Sequence, residues 1–196
     1  MVLLSASAQA IEEAISKCAL CEYIDKPFVK HHVYHKWLPR EVKVLAIGES
    51  PPPSKKESFF YNLRLFDRLR LSMRTILEFE GSGDDLLRTL RKRGVFITAA
   101  VKCRPLDRKR VADMCKACTH ILEKEIALLR PSRVIAMGNT ASQALSIVLK
   151  LAERYPVRQL YKTASGNLEV AFTPHPNYIF RFRRDLAKKV KSYLLE

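Results

Sequence analysis

The sequence predicts an α/β fold: a three-layer α/β/α sandwich with a central, mainly parallel four-stranded sheet. Four short apolar segments, typical of buried strands, alternate with longer segments of helical periodicity. The strand segments cover residues 42–47, 95–101, 134–137 and 168–172. Because parallel strands need crossover connections, the helices should cover both faces of the sheet. The chain has 196 residues, 47% of them hydrophobic, which suffices for one full core, so we expect a single domain over residues 1–196.

The clearest helical pattern covers residues 109–129 and repeats apolar residues along one face. That face comprises Val111, Cys115, Cys118, Leu122 and Leu129. Two shorter helical patterns cover residues 7–17 and 140–151. The sequence predicts irregular connections where periodicity is lost, at residues 22–40, 51–53, 81–84 and 104–108.

Residues suited to binding or catalysis follow the ends of the predicted strands. The segment Gly48-Glu49-Ser50 follows the first strand, Cys103 follows the second and His175 follows the fourth. Sites in parallel sheets lie beyond the carboxyl ends of the strands. The sequence therefore predicts that these residues share one edge of the sheet.

The chain is strongly basic, with 35 Lys plus Arg against 20 Asp plus Glu and a formal net charge of +15. A positive field of this size attracts polyanions, so DNA or RNA is the expected partner. The alternative is a soluble protein with surplus charge that binds no nucleic acid.

No apolar stretch reaches the ~20 residues that a membrane-spanning helix needs, and the apolar start Met-Val-Leu-Leu is too short for the core of a signal peptide. We therefore expect a cytoplasmic protein, associated with the nucleoid and not with a membrane. In a reducing compartment, cysteines are better interpreted as metal ligands than as disulfides.

Cysteines in two distant places suggest a metal centre. Cys18 and Cys21 form a Cys-x-x-Cys pair, and Cys103 and Cys118 could complete a four-thiolate site for zinc or an iron-sulfur cluster. Cys115 competes with Cys118 for the fourth position. A competing zinc site would combine Cys18 and Cys21 with two histidines, His31 or His32 together with His35.

Taken in order, four motifs resemble the uracil-DNA glycosylase superfamily, and within it the iron-sulfur type often called family 4. They are Gly48-Glu49-Ser50-Pro51-Pro52, Val101-Lys102-Cys103-Arg104-Pro105, the interval of thirteen residues from Cys118 to Pro131, and His175-Pro176-Asn177. The resemblance runs from Cys18 to about Arg184. It implies a monomeric DNA glycosylase with a 4Fe-4S cluster on Cys18, Cys21, Cys103 and Cys118.

The resemblance also implies roles at the site. His175 would donate to a carbonyl oxygen of the departing base, and Glu49 would orient water near the sugar, since this bond breaks with negative charge on the base. Base-binding positions would be Gly48, Ser50, Phe60, Ala99 and Asn177.

A base inside a duplex must be flipped out before an enzyme can act on it. Phe59 or Phe60 lies where the family places the aromatic residue that stacks on the flipped base, and we select Phe60. The segment after His175 would wedge into the base stack and hold phosphates through Tyr178, Phe180, Arg181, Arg183 and Arg184. Phe182 and Leu186 are expected in the helix core.

Ala99 departs from the family pattern, which has an asparagine that pairs with uracil at this position. Losing such a contact costs roughly 1 to 3 kcal/mol of discrimination. Either backbone groups, Asn62 or Asn177 replace it, or the substrate is another damaged base, such as hypoxanthine. The remaining alternatives are an inactive iron-sulfur DNA-binding protein of the same fold and an iron-sulfur electron-transfer protein.

Overall fold

The structure is a computed structural model that describes residues 2–53, 57–151, 159–163 and 166–196. Its strands are β1 (Val44–Gly48), β2 (Val95–Ala99), β3 (Arg133–Met137), β4 (Gln159–Thr163) and β5 (Gly166–Thr173). Its α-helices are α1 (Val2–Lys17), α2 (Pro27–Lys30), α3 (Val33–Trp37), α4 (Arg68–Ile76), α5 (Gly83–Lys92), α6 (Val111–Leu129), α7 (Asn139–Leu149), α8 (Pro176–Phe182) and α9 (Ala187–Leu195).

The strands form one sheet in the order β2-β1-β3-β5-β4. The first four strands in this order are parallel, and β4 pairs antiparallel with β5 at the edge. Strands β1 and β2 are buried along their whole length, as near-continuous apolar sequences in parallel sheets usually are. The four parallel strands are those that the sequence predicts, and the antiparallel edge strand is an addition to them.

The strand order places the helices on two faces. The chain moves from β1 to β2 in one direction and from β2 through β3 to β5 in the other, so right-handed crossovers put the intervening helices on opposite sides. Helices α1, α6 and α7 pack together, and α4 packs with α8 and α9. These contacts give the predicted three-layer α/β/α arrangement.

Side chains cap two of the helices near the carboxyl edge of the sheet. The Asp67 carboxylate accepts a hydrogen bond from the Arg70 backbone N–H (2.8 Å) and thereby caps the start of α4. His175 Nδ1 accepts from the Asn177 backbone N–H (3.1 Å) and begins α8. Both caps satisfy N–H groups that have no partner inside the helix.

The prediction of an irregular segment over residues 22–40 is wrong in part, because α2 and α3 lie within it. These helices have four and five residues, which is too short to establish a hydrophobic period. The prediction for residues 109–129 is confirmed by α6, whose five predicted apolar positions are all buried. Among the described residues, no helix is long and apolar enough to cross a membrane.

Candidate active site and cysteine cluster

A cavity of about 640 Å³ opens at the carboxyl edge of the sheet. It is lined by both residues predicted to be catalytic and by all five predicted to bind the base: Glu49, His175, Gly48, Ser50, Phe60, Ala99 and Asn177. Tyr178 and Arg181 also line it. The structure therefore brings together residues that lie up to about 130 positions apart in the chain.

His175 lies at the start of α8 with a defined tautomer. Its Nδ1 accepts the Asn177 backbone N–H, so the proton of the neutral ring lies on Nε2. Burial, followed by the positive charge of Arg108, lowers the pKa of His175 to about 4. The ring is consequently neutral at pH 7, and its Nε2–H can donate a hydrogen bond without transferring a proton.

Close packing fixes the His175 ring from behind. Gly138 has φ of +100°, and a Cβ placed there would lie 3.1 Å from the His175 Cβ. A larger residue at this turn would be strained and would displace the histidine. The turn at Gly138, between β3 and α7, thus supports the site and is not among the described residues that line it.

Backbone hydrogen bonds hold the loop that contains Glu49. The carbonyl oxygens of Gly48 and Glu49 accept from the N–H groups of Ala100 (2.9 Å) and Val101 (3.0 Å). The Arg104 guanidinium donates to the Pro52 carbonyl oxygen (2.8 Å) on the far side of the loop. The half-buried Glu49 carboxylate is therefore presented to the cavity from an anchored turn.

The structure distinguishes the two candidate stacking residues. Phe59 packs in an aromatic cluster with Phe28, His31 and Tyr61. Phe60 contacts the Tyr61 ring edge-on, and both phenylalanines line the cavity. Phe59 has more aromatic contacts than Phe60, so Phe60 stays the predicted stacking residue.

Ala99 lies at the end of β2, where it lines the cavity with a methyl group only. Asn62 is a poor substitute for the missing asparagine, since its amide bonds the Glu57 carbonyl oxygen and the Arg64 N–H within its own loop. Asn177 lines the cavity, and its Oδ1 accepts from the Ser72 hydroxyl (2.8 Å). Of the two asparagines considered, Asn177 is the one among the described residues that line the cavity.

Phe66, Asp67 and Arg108 are among the residues that line the cavity and that sequence reasoning did not single out. Burial raises the pKa of the Asp67 carboxyl group, while the Arg70 N–H and the Arg70 charge lower it. Asp67 directly precedes α4, and Asp is a favoured residue at the start of a helix, so it could have been recognised as a cap. Phe66 and Arg108 lie in loops without periodicity, so their placement depends on tertiary contacts.

The segment predicted to contact DNA divides into two groups. Tyr178 and Arg181 are exposed and line the cavity, whereas Phe180 is half-buried and lines an adjacent cavity of about 110 Å³. Arg183 is exposed and forms a two-point ion pair with Asp185, and Arg184 donates to the Phe180 carbonyl oxygen. The expectation that Phe182 belongs to the core is wrong: its side chain is 67% exposed at the cavity mouth.

The cysteines come together beside the central sheet, although they are not among the described residues that line the cavity. Burial raises the pKa of the Cys103 thiol to about 12, and Cys118, Cys18 and Cys21 also raise it. The Lys102 backbone N–H bonds the Cys118 sulfur. Two backbone hydrogen bonds of 2.9 Å, from Ile24 to Arg104 and from Arg104 to Asp25, fasten the two segments together.

This donor set fits an iron-sulfur cluster. The four thiols are neighbours, partly shielded from water, and one receives an N–H bond of the kind that tunes cluster sulfurs. Among the described residues, no three His, Cys, Asp or Glu side chains are close enough to share a single metal ion. A cluster requires wider spacing than one ion does, because each thiolate binds a different iron.

Cys115 and the histidines have other surroundings. The Cys115 thiol points to the Thr140 carbonyl oxygen (3.5 Å), and burial, Cys118 and Glu49 raise its pKa to about 11. His32 and His35 both pair with Glu12. These contacts favour Cys118 as the fourth ligand and give no support to the zinc site built on histidines.

A buried charge network lies between the cysteines and the cavity. The Lys102 ammonium donates to Glu125 Oε2 (2.5 Å), Thr98 Oγ1 (2.7 Å) and the Ala99 carbonyl oxygen (2.5 Å). The Tyr34 hydroxyl donates to the other Glu125 oxygen (2.6 Å). Since breaking a buried pair strands a charge in the core, this network fixes the end of β2 between the two sites.

Comparisons with known proteins identify the family of the chain. The sequence model described as "Uracil DNA glycosylase superfamily" matches residues 35–196. A type-4 uracil-DNA glycosylase of Pyrobaculum aerophilum is 27% identical over 203 aligned residues, which cover 91% of each chain. A type-5 uracil-DNA glycosylase of Thermus thermophilus is 42% identical over 64 residues, or 32% of this chain and 27% of that protein. With most of its length matched by the family model, the chain belongs to the uracil DNA glycosylase superfamily.

Proposed function

We propose that this protein is a monofunctional DNA glycosylase that flips a deaminated base, uracil first among the candidates, and removes it by hydrolysis in base-excision repair. The observation that supports this most directly is the neutral His175, which faces a cavity shared with Glu49 and Phe60. The type-4 name of the Pyrobaculum relative and the net charge of +15 agree with the proposal.

His175 would act on the departing base. As the N-glycosidic bond breaks, negative charge develops on the base carbonyl oxygen, and a hydrogen bond from Nε2–H stabilises that charge more than it stabilises the ground state. A neutral imidazole suits this role because it offers a donor whose proton is retained throughout. Arg108 adds positive charge at the same end of the cavity.

Glu49 would act on the other side of the bond. Its carboxylate would orient a water molecule toward the sugar and stabilise the cationic sugar that forms as the base leaves. Phe60 would stack on the flipped base, as aromatic side chains do in enzymes that extrude a nucleotide. All three groups project from anchored backbone, so little reorganisation is needed for reaction.

The cofactor proposed is a 4Fe-4S cluster on Cys18, Cys21, Cys103 and Cys118. When bound, it would cross-link the N-terminal segment to the segment that follows β2. Arg104 extends that link toward the cavity, because its guanidinium contacts Asp25, Pro52 and Ser58. The cluster would thus stabilise the walls of the cavity without taking part in bond cleavage.

Ala99 favours a second candidate substrate class. A methyl group at the end of β2 offers no hydrogen bond to the edge of uracil, so a glycosylase for another deaminated base, such as hypoxanthine, would suit this cavity equally well. The two candidates share the catalytic groups and differ only in how the base is recognised.

A panel of labelled oligonucleotides tests the proposal. Duplexes that contain uracil, hypoxanthine, xanthine or 5-hydroxymethyluracil are incubated with the protein and then cleaved with alkali. We expect abasic sites from uracil, with strand breaks only after alkali. The same panel is run with His175→Ala. Its matched control is His120→Ala, at an exposed histidine of α6. If the protein acts on none of these bases, the alternative of an inactive DNA-binding protein replaces the proposed function.

A further inference from the structure

The loop of residues 59–66 exposes apolar side chains that the site described above does not use. Phe66 is 68% exposed and lines the mouth of the main cavity together with Phe182 and Tyr178. Leu65, the preceding residue, is also largely exposed. Phe66, Phe182 and Tyr178 thus form an exposed apolar patch along one cavity, and such patches mark surfaces that a partner covers.

The loop is held by one buried arginine. The Arg70 guanidinium donates to the carbonyl oxygens of Phe60 (2.7 Å), Asn62 (3.2 Å) and Phe59 (3.4 Å), and also to that of Leu65. A guanidinium has five N–H donors in a rigid plane, so it can fix several carbonyl groups at once. Phe66 therefore projects from a rigid support.

Packing around Arg70 strengthens that support. A Cβ on Gly83 would lie 3.0 Å from Arg70 Nε, so the start of α5 closes directly over the guanidinium. Asp67 caps the helix that contains Arg70. The same guanidinium bonds the carbonyl oxygens of Phe60, inside the cavity, and of Leu65, next to the exposed ring. The position of one aromatic is thereby coupled to the position of the other.

The charges around Phe66 identify the partner. The arginines Arg64 and Arg68 flank it in sequence and are exposed, and Arg181 lines both the main cavity and the smaller one that Phe66 also lines. Apolar side chains interleaved with arginines suit a DNA duplex, in which unstacked base steps meet the apolar groups and phosphates meet the arginines.

We propose that Phe66 is a DNA wedge. Together with the exposed ring of Phe182 it holds the duplex open around the flipped nucleotide. This inference rests on the proposed function, because it names a further element of the same DNA-binding face. Phe182 belongs to α8 and Phe66 to the loop before α4, and the two helices pack together through contacts such as that of Ser72 with Asn177. The two rings are therefore held on adjoining elements and can enter the base stack as a pair.

The test compares Phe66→Ala with the parent on duplex and single-stranded DNA. A uracil duplex with 2-aminopurine next to the uracil reports base unstacking by fluorescence, whether or not the base is then released. We expect Phe66→Ala to reduce the fluorescence change and the duplex affinity roughly tenfold, with single-strand affinity unchanged, because a single strand has no stack to open. Phe66→Leu, which keeps an apolar side chain, should retain most of the parent signal.

Ile147→Ala is the matched control, since Ile147 is 46% exposed on α7 and is not among the described residues that line the cavity. If Phe66→Ala equals this control, the wedge proposal is wrong even when uracil is released normally. Equal losses on duplex and single strand would make Phe66 part of the base pocket, which also contradicts it. A parent protein that opens the duplex but releases no base from it or from the panel of damaged duplexes would refute the proposed function and leave the wedge proposal standing. A parent that neither opens the duplex nor releases any of these bases refutes both.

Discussion

His175 has two functions in one side chain, since it caps α8 through Nδ1 and faces the cavity as a neutral ring. The cap fixes the tautomer, and the tautomer determines which nitrogen can donate to a base. Hydrogen bonding within the fold thus sets the chemistry available at the site.

The pH dependence of activity should follow the His175 pKa of about 4. Above this pKa the ring is neutral, so the protonation of His175 should not change the rate of base release between about pH 5 and 8. The rate should fall near pH 4, where the ring gains a proton. Arg108→Gln removes a positive neighbour that lowers this pKa, so the variant should have a higher pKa. NMR titration of the His175 ring measures both values, and a pKa near 6.5 in the parent would contradict the neutral-donor role.

The same lowered pKa predicts an effect on stability. Between about pH 4 and 6.5 the unfolded chain binds a proton that the folded His175 does not, so the folded state should lose stability as pH falls through this window. His175→Asn should flatten this part of the curve, since asparagine can still cap α8 and does not titrate. Denaturant unfolding between pH 4 and 7 gives the comparison.

Ala99 is the residue that tests specificity. Ala99→Asn restores an amide at the end of β2, and a hydrogen bond to uracil is worth roughly 1 kcal/mol or more, so uracil release should rise about fivefold or more. Single-turnover rates on uracil and hypoxanthine duplexes provide the measurement. If the substitution abolishes activity on the preferred base, that base is not uracil.

At the scale of elements, helix α8 and the loops around the cavity form the expected DNA face. If about five phosphates are bound, the log-log salt slope should be roughly 4 to 5 on duplex DNA. Arg181→Gln and Arg184→Gln should each reduce it by about 1. Arg183→Gln should change it less, because Asp185 already pairs with that guanidinium.

Arg88→Gln is the control for these arginines, because Arg88 is exposed on α5 and paired with Asp84. Affinity measured by fluorescence anisotropy across salt concentrations gives the slopes. If the salt slopes of Arg181→Gln and Arg184→Gln are unchanged, neither α8 nor the turn after it belongs to the DNA face.

The sequence was sufficient to predict the four parallel strands and α6, but not α4 or α5. The four parallel strands and α6 have apolar patterns that only one burial geometry satisfies. Helices α2 and α3 were missed because four or five residues contain less than two helical turns. Phe182 was misplaced because its position in the pattern suits a core residue, whereas α8 ends at that residue and leaves the ring in solvent.

The cavity shows the same division. Glu49 and His175 follow strands and Ala99 is the last residue of one, so the parallel sheet alone brings them to one edge. Phe66 depends on Arg70, a buried charge that bonds four carbonyl groups of another segment. No local sequence pattern predicts such a contact, so the position of Phe66 at the cavity could not be predicted.

For the whole molecule, the proposed cluster would join the N-terminal segment to the centre of the fold. The protein should be brown and contain four irons. Cys118→Ala should lose iron and colour and should lower the unfolding temperature, because a cluster bound only by the folded state contributes folding free energy. Cys115→Ala is the control: its thiol points to Thr140, so this variant should keep its iron.

Iron analysis and the visible spectrum, followed by thermal unfolding, distinguish these variants. A colourless parent that contains one zinc would contradict the cluster. If Cys115→Ala loses its iron and Cys118→Ala keeps it, Cys115 is the fourth ligand and Cys118 is not.

Direct measurement of the released base tests the central claim. Under single-turnover conditions, a uracil duplex is mixed with excess protein, and free uracil is quantified by mass spectrometry. The parent should release uracil and leave an intact strand with an abasic site, while His175→Ala and Glu49→Ala should each be slower by roughly a hundredfold or more with nearly unchanged DNA affinity. Parent-like rates in both variants, or no free base from the parent, would contradict the account.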